Sequence, residues 1–226
     1  MVKLAREALD AVREIEGLAN HGGAGEAELR IASTPSLEPG LAGRLLPAYA
    51  SEHPGVRVHI VRCEGREAVV SAIRDQRADL GLTDLPVPGD LITHPLERQE
   101  IVLISPPGLE LPNPVPMGRL HGMRLALPAR GSVRRRELDA MFGKFSVSPV
   151  VVLETDERNG WLNAVRAGKA SLLWYRGMAE QAARAGLVVR SLEPAVRRVI
   201  AVVHTRRRLP LIAQDFLATA ERGTTA

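Results

Sequence analysis

A single cysteine, Cys63, stands among 226 residues, so no intrachain disulfide can form and a disulfide-stapled secreted domain is excluded. A reducing compartment is expected. Aromatic residues make up only 3% of the chain, which leaves few platforms on which the bases of a single-stranded nucleic acid could stack. The N-terminus, MVKLAREALDAVREIEGL, carries a charge every few residues and has no uninterrupted apolar stretch that could act as a signal peptide or a membrane span. The chain is therefore expected to stay in the cytoplasm. A strong charge bias is missing too: 30 Lys+Arg against 26 Asp+Glu leave a net charge of +4, small beside the number of charges present. The densest basic runs, Arg134-Arg135-Arg136 and Arg206-Arg207-Arg208, read as solvated helix starts, since charge runs usually face water.

The motifs of several chemistries are also lacking. Six histidines are scattered: His21 in a glycine-rich stretch, His53 and His94 before prolines, His121 before Gly122, and His59 and His204 within strand-like runs. With no H-E-x-x-H and no C-x-x-C, no metal site is expected. His59 and Cys63 would share a face if their strand ran that far, and ordinary packing is the simpler role for both. No G-x-S-x-G elbow, Walker A loop or G-x-G-x-x-G after a strand occurs, and Gly22-Gly23-Ala24-Gly25 precedes its strand, so a phosphate cradle fails. An enzyme on this chain would have to use Ser132 or Asp156, but no base is paired with a nucleophile at a recognisable spacing. No catalytic residue and no cofactor is assigned, and the chain is not expected to be an enzyme.

What the sequence does hold is periodicity. Leu4, Ala8, Ala11, Ile15 and Leu18 fall on one helical stripe, resembling a coiled-coil seam too short to be stable alone. A helix is expected over 1–20, followed by a flexible link at 21–27 where repeated Gly breaks it. After the link, β-branched runs at Glu28 to Ser33, Val56 to Arg62, Asp79 to Thr83 and Glu100 to Ser105 alternate with helical stretches at Leu41 to His53 and Arg66 to Arg77. A second set has strands near Met123 to Leu127, Val150 to Glu154, Ser171 to Tyr175 and Leu187 to Arg190, with helices near Val133 to Phe142, Arg158 to Ala167 and Gly177 to Ala185. A last strand, Val196 to His204, and a helix from Leu209 to Ala220 could join either set. Such alternation predicts α/β architecture, with βαβ crossovers and parallel strands. Two lobes are expected, the first over 28–105 and 203–222 and the second over 106–202, with the proline-rich stretch from Pro106 to Pro114 as the crossover.

Hydroxyl and basic residues cluster at the strand-to-helix turns: Ser33-Thr34-Pro35-Ser36, Thr83-Asp84, Arg130-Gly131-Ser132 and Thr155-Asp156. Each can be read as a helix cap, worth about 0.5 to 2 kcal/mol. In a doubly wound fold, however, these turns meet at one cleft and offer hydroxyls, backbone N–H groups and positive helix ends to a carboxylate.

The order of several segments resembles the effector domain of LysR-type transcriptional regulators. Those segments are Glu28-Leu29-Arg30-Ile31-Ala32, Leu45-Leu46-Pro47-Ala48-Tyr49, His53-Pro54-Gly55-Val56 and Arg77-Ala78-Asp79-Leu80-Gly81-Leu82, then Leu125-Ala126-Leu127-Pro128, Glu137-Leu138-Asp139 with Phe142, and Val165-Arg166-Ala167-Gly168-Lys169-Ala170. The resemblance runs from Glu28 to about Ala220. It implies two Rossmann-like lobes of the type 2 periplasmic-binding-protein kind, preceded by the end of a dimerising linker helix. It also implies an anionic small-molecule effector, often a carboxylate, bound in the cleft between the lobes and acting on transcription through the geometry of a homodimer or homotetramer. By position, Thr34, Pro35, Ser36, Thr83, Arg98, Gly131, Ser132, Val133 and Thr155 are the implied effector contacts. Arg98 stands out because a guanidinium can hold a carboxylate bidentately, although arginines mostly stay exposed. The family's G-x-G-x-x-x-L-P ending is changed here, with Trp174-Tyr175 where Pro is expected. The winged helix-turn-helix that precedes the linker helix in the family is not in this sequence, so DNA contact is expected only through a part outside it. A solute-binding protein of a transport system shares the implied fold and is the alternative, against which the lack of an export signal argues.

Overall fold

The computed structural model describes residues 27–37 and 42–223. The helix expected over 1–20, and all of the link at 21–27 except its last residue, lie outside the described residues. In chain order the elements are β1 (Ala27–Ser33), α1 (Gly43–Glu52), β2 (Val56–Arg62), α2 (Arg66–Arg74), β3 (Leu80–Asp84), β4 (Leu91–Ser105), β5 (Val115–Pro116), a 3-10 turn (Met117–Leu120), β6 (Arg124–Leu127), α3 (Val133–Lys144), β7 (Val150–Glu154), α4 (Arg158–Arg166), β8 (Ser171–Tyr175), α5 (Arg176–Arg184), β9 (Val188–Thr205) and α6 (Leu211–Arg222). The architecture is mixed α/β. No helix among the described residues is long and apolar enough to cross a membrane.

The chain divides into two compact units, one running to Glu97 and resuming at Ile200, the other Arg98–Val199. Both passages fall inside long strands, β4 and β9, and the proline-rich stretch from Pro106 to Pro114 belongs to the second unit. The two short strands expected at Leu187 to Arg190 and Val196 to His204 are one strand of 18 residues.

In the first unit β1 lies between β2 and β3, parallel to both, and β9 adds to β3 in the antiparallel sense. Side chains of a strand alternate between its two faces, and the core follows that alternation. Leu29, Ile31, Leu80, Leu82, Ile200 and Val202 pack with Leu45 and Tyr49 of α1 and Phe216 of α6. Their neighbours Ala32, Ala201 and Val203 pack on the opposite face with Val69, Ala72 and Ile73 of α2. Glycine is required at Gly81, where a Cβ would stand 2.5 Å from Ile73 Cδ1 and 2.6 Å from Val69 Cγ1. Burial of Tyr49 is completed by a 2.8 Å hydrogen bond from its hydroxyl to the Ile212 carbonyl. That burial, with the charge of Asp215 behind it, pushes the phenol up to about 12. The Asp79 carboxylate accepts from the backbone N–H of Arg30 at 2.9 Å and from its guanidinium at 2.7 Å, which ties β1 to the turn before β3.

The second unit repeats the scheme. β6 is parallel to β7 and β8, while β4 pairs antiparallel with β8. Leu125, Leu127, Leu172 and Trp174 pack with Leu138 and Phe142 of α3, Trp161 and Val165 of α4 and Ala179 of α5. Arg190 donates to Ser105 Oγ at 2.8 Å and to the Leu109 carbonyl at 2.9 Å, which holds the proline-rich stretch. Parallel strands were expected, and each unit also carries a strand paired in the antiparallel sense. In both units that strand is a segment of β4 or β9, which enters from the other unit and needs no helical crossover.

Candidate functional site

In the first unit the expected residues gather at one end of the sheet. Ser33 of β1 is in register with Leu82 of β3, so the turn at Thr34, Pro35 and Ser36 leaves β1 beside Thr83. Thr34 is nearly buried, its hydroxyl 3.2 Å from that of Ser36. Its carbonyl accepts from the Leu37 N–H at 3.0 Å, closing the turn. Thr83 is fully buried and its Oγ1 has no hydrogen-bond partner among the described residues.

In the second unit Leu127 of β6 is in register with Glu154 of β7. The turn at Gly131, Ser132 and Val133 therefore leaves β6 beside Thr155. Asp156 joins the two loops by accepting from the Ala129 N–H at 3.2 Å. Ser132 caps α3, its hydroxyl accepting from the Arg135 N–H at 3.2 Å, and Gly131 takes a positive φ of 87°, a conformation open to glycine at little cost. The Thr155 hydroxyl accepts from the Glu157 N–H at 3.1 Å. Arg98 is exposed on β4.

The run Arg134-Arg135-Arg136 departs from its expected solvated state. Only Arg136 is exposed. Arg135 is 7% exposed, with Glu154 at 3.0 Å and Asp139 at 2.9 Å. Burial works against its charge, but hydrogen bonds to those two carboxylates outweigh it and raise the guanidinium pKa. Hydrogen bonds from Arg135 first and Arg130 second hold Glu154 below the usual carboxylate range. Arg134 donates from Nη1 to the Tyr175 hydroxyl at 2.7 Å and to Glu137 at 3.1 Å. Its Nε and Nη2 are buried with no partner among the described residues. The Arg134 and Arg198 guanidinium carbons lie 4.5 and 3.4 Å from the centroid of the Tyr175 ring, within cation–π range. Sequence reading missed this cluster because Arg134 sat inside a charge run and Arg198 lies far along the chain. Only Tyr175, in the place of the family's proline, was a signal. The run Arg206-Arg207-Arg208 is exposed as expected but forms a bend ahead of α6 rather than a helix start.

The strand that would place His59 and Cys63 on one face stops one residue short of Cys63. His59 is exposed, and Cys63 is buried against α2, where burial pushes its thiol pKa up and lowers its reactivity. Among the described residues no group of three or more His, Cys, Asp and Glu could hold a metal ion.

The fold has solved counterparts. The regulatory domain of Synechocystis CcmR, solved in complex with 2-PG, is 20% identical, with 88% of this chain and 97% of that one covered at a TM-score of 0.75. The effector binding domain of QuiR in complex with shikimate is 13% identical, with 89% and 98% covered at a TM-score of 0.70. Full-length CbnR complexed with its target DNA is 15% identical, with 98% and 82% covered at a TM-score of 0.68. These likenesses concern the fold. Residues 22–224 match the family model of the LysR substrate binding domain, and the chain belongs to that family.

Proposed function

We propose that this chain is the effector-sensing domain of a LysR-type transcriptional regulator and that its effector is a small organic anion, a carboxylate in the first instance. It binds and does not turn over. The effector contacts in this reading are Thr34, Pro35, Ser36, Thr83, Arg98, Gly131, Ser132, Val133 and Thr155, with Arg134 added. Binding shifts a pre-existing equilibrium between forms of a homodimer or homotetramer, which requires the effector to prefer one form. DNA is read in the cytoplasm by a winged helix-turn-helix outside this chain. Supporting this reading, CcmR and QuiR domains of the same fold were solved with 2-PG and shikimate, and CbnR with its target DNA.

The observation that carries the anionic effector is the Arg134 guanidinium, which stacks on Tyr175 with two N–H-bearing nitrogens lacking an acceptor among the described residues. Buried donors without partners are costly, and charged ones more so. An oxyanion supplies acceptors and opposite charge together. Titration calorimetry against a panel of small organic anions tests this. At least one anion is expected to bind saturably, with affinity lost in Arg134→Met and reduced in Arg98→Ala. Identical affinities in Arg98→Ala and the parent would remove Arg98 from the contacts, and a panel with no binder would remove the anion.

A further inference from the structure

His94 of β4 and His204 of β9 both belong to the first unit, and their Nε2 atoms face one another at 3.1 Å. Each ring is held from behind. His204 Nδ1 lies 2.7 Å from the Thr205 carbonyl, and His94 Nδ1 lies 3.3 Å from Glu221 Oε1. A carbonyl and a carboxylate only accept, so each draws a hydrogen to the Nδ1 atom that faces it. A ring protonated at Nδ1 alone presents a bare lone pair at Nε2, and two such lone pairs aimed at one another repel unless a cation lies between them. In the chain by itself that cation is a proton on one Nε2.

A transition-metal ion answers the same arrangement. Imidazole nitrogens suit Zn²⁺, Ni²⁺ and Cu²⁺, whereas Mg²⁺ and Ca²⁺ take oxygen ligands. A ligating histidine usually donates its other ring N–H to a carboxylate or a backbone carbonyl, which fixes the tautomer and the ring orientation. Both kinds of support are present, the carbonyl behind His204 and the carboxylate behind His94. The 3.1 Å between the nitrogens is near the roughly 3.3 Å that a tetrahedral zinc site sets between two nitrogen ligands. His204 is 6% exposed, but the His94 and Glu221 side chains are 27% and 60% exposed, which leaves an entry path. We propose that His94 and His204 form a two-imidazole site for a borderline divalent transition metal, with Glu221 and the Thr205 carbonyl orienting the rings. No third His, Cys, Asp or Glu completes a ligand set among the described residues, so the remaining positions fall to water and binding is weaker than at a four-ligand structural site. No local motif marks the pair, because its members are 110 positions apart. The inference does not rest on the anion reading, since its residues are others and its ligand is a cation.

Zn²⁺ and Ni²⁺ serve as probes on the full chain, with Mg²⁺ as control, followed by calorimetry and by the NMR signals of the histidine rings. Both probes are expected to bind saturably and to shift the signals of His94 and His204, and Mg²⁺ to do neither. His94→Gln and His204→Gln should each weaken binding more than tenfold, and Glu221→Ala about tenfold, the low end for losing a group that orients a ligand. His59→Gln, an exposed change in the same unit, should bind as the parent does. His94→Gln keeps the test decisive should the buried His204 variant fail to fold. The site is overturned if neither probe saturates, if the shifts fall on other histidines, or if His94→Gln keeps the parental affinity.

Discussion

The Nε2 atoms of His94 and His204 lie 3.1 Å apart, although the two residues are 110 positions apart in sequence. Only one of two facing ring nitrogens can donate. His204 Nδ1 is 2.7 Å from the Thr205 carbonyl and must donate there, so its Nε2 accepts from His94, whose Nδ1 faces Glu221 at 3.3 Å. The tautomer of His204 follows from this network. Burial first, and the neighbouring His94 after it, hold His204 below its usual pKa of 6.5 against the opposing pull of the Thr205 carbonyl.

A pH dependence follows from that pair. Because the folded pKa of His204 is depressed, the unfolded chain takes up a proton first as pH falls, so this contribution to stability is present above about pH 6.5 and lost below it. Urea unfolding between about pH 5 and 8 should show stability declining on the acid side, and His204→Gln should flatten that decline. A slope unchanged by the substitution would assign the decline to other groups.

Gly81→Ala should destabilise the first unit by about 1 to 3 kcal/mol, the range for overpacking a core. The added Cβ meets Ile73 Cδ1 and Val69 Cγ1, and both side chains are buried with little freedom to give way. Ile73→Val removes one of the two clashing atoms, so the double variant should lose less than the sum of the single losses. Strict additivity in denaturant melts would contradict this packing.

Ser132 separates capping from ligand contact. Ser132→Ala should cost about 1 kcal/mol through loss of the α3 cap, whereas Ser132→Asp keeps a capping oxygen and should hold the melting temperature near that of the parent. If the hydroxyl also meets an anionic effector, the added carboxylate repels it. Ser132→Asp should then bind the anion more weakly while remaining as stable. Equal affinity would leave Ser132 with the cap alone.

The tie between Arg30 and Asp79 should be worth about 1.5 to 3 kcal/mol, as for hydrogen bonds to charged groups, discounted for a pair whose side chains are 28% and 16% exposed. Asp79→Ala removes the acceptor for both the Arg30 N–H and its guanidinium. Its unfolding midpoint in urea should fall clearly below that of Arg77→Ala, which alters an exposed neighbour.

The expected element positions came close wherever local pattern and burial agreed. Val56 to Arg62 and Val150 to Glu154 are strands with the bounds expected of them, because β-branched runs bounded by turns admit few alternatives. The first part of β4, from Leu91, went unseen. Thr93, His94, Pro95, Glu97 and Arg98 interrupt any strand pattern, and pairing with distant segments makes the strand there. β9 was split for the same reason, with Glu193 and Pro194 in its middle. The strand-end turns of the candidate site were visible because hydroxyls before helices have a local cause, while the Arg134, Tyr175 and Arg198 cluster had none.

The amino-acid order by itself determined the alternation of strands and helices, the family and the residues at the ends of the strands, since these depend on near neighbours and on spacing along the chain. Tertiary structure alone decided that Arg135 is buried while Arg136 is exposed, and that His94 meets His204. Each of those depends on which remote surface closes over a side chain, and hydrophobic burial sets that through contacts between segments far apart in sequence.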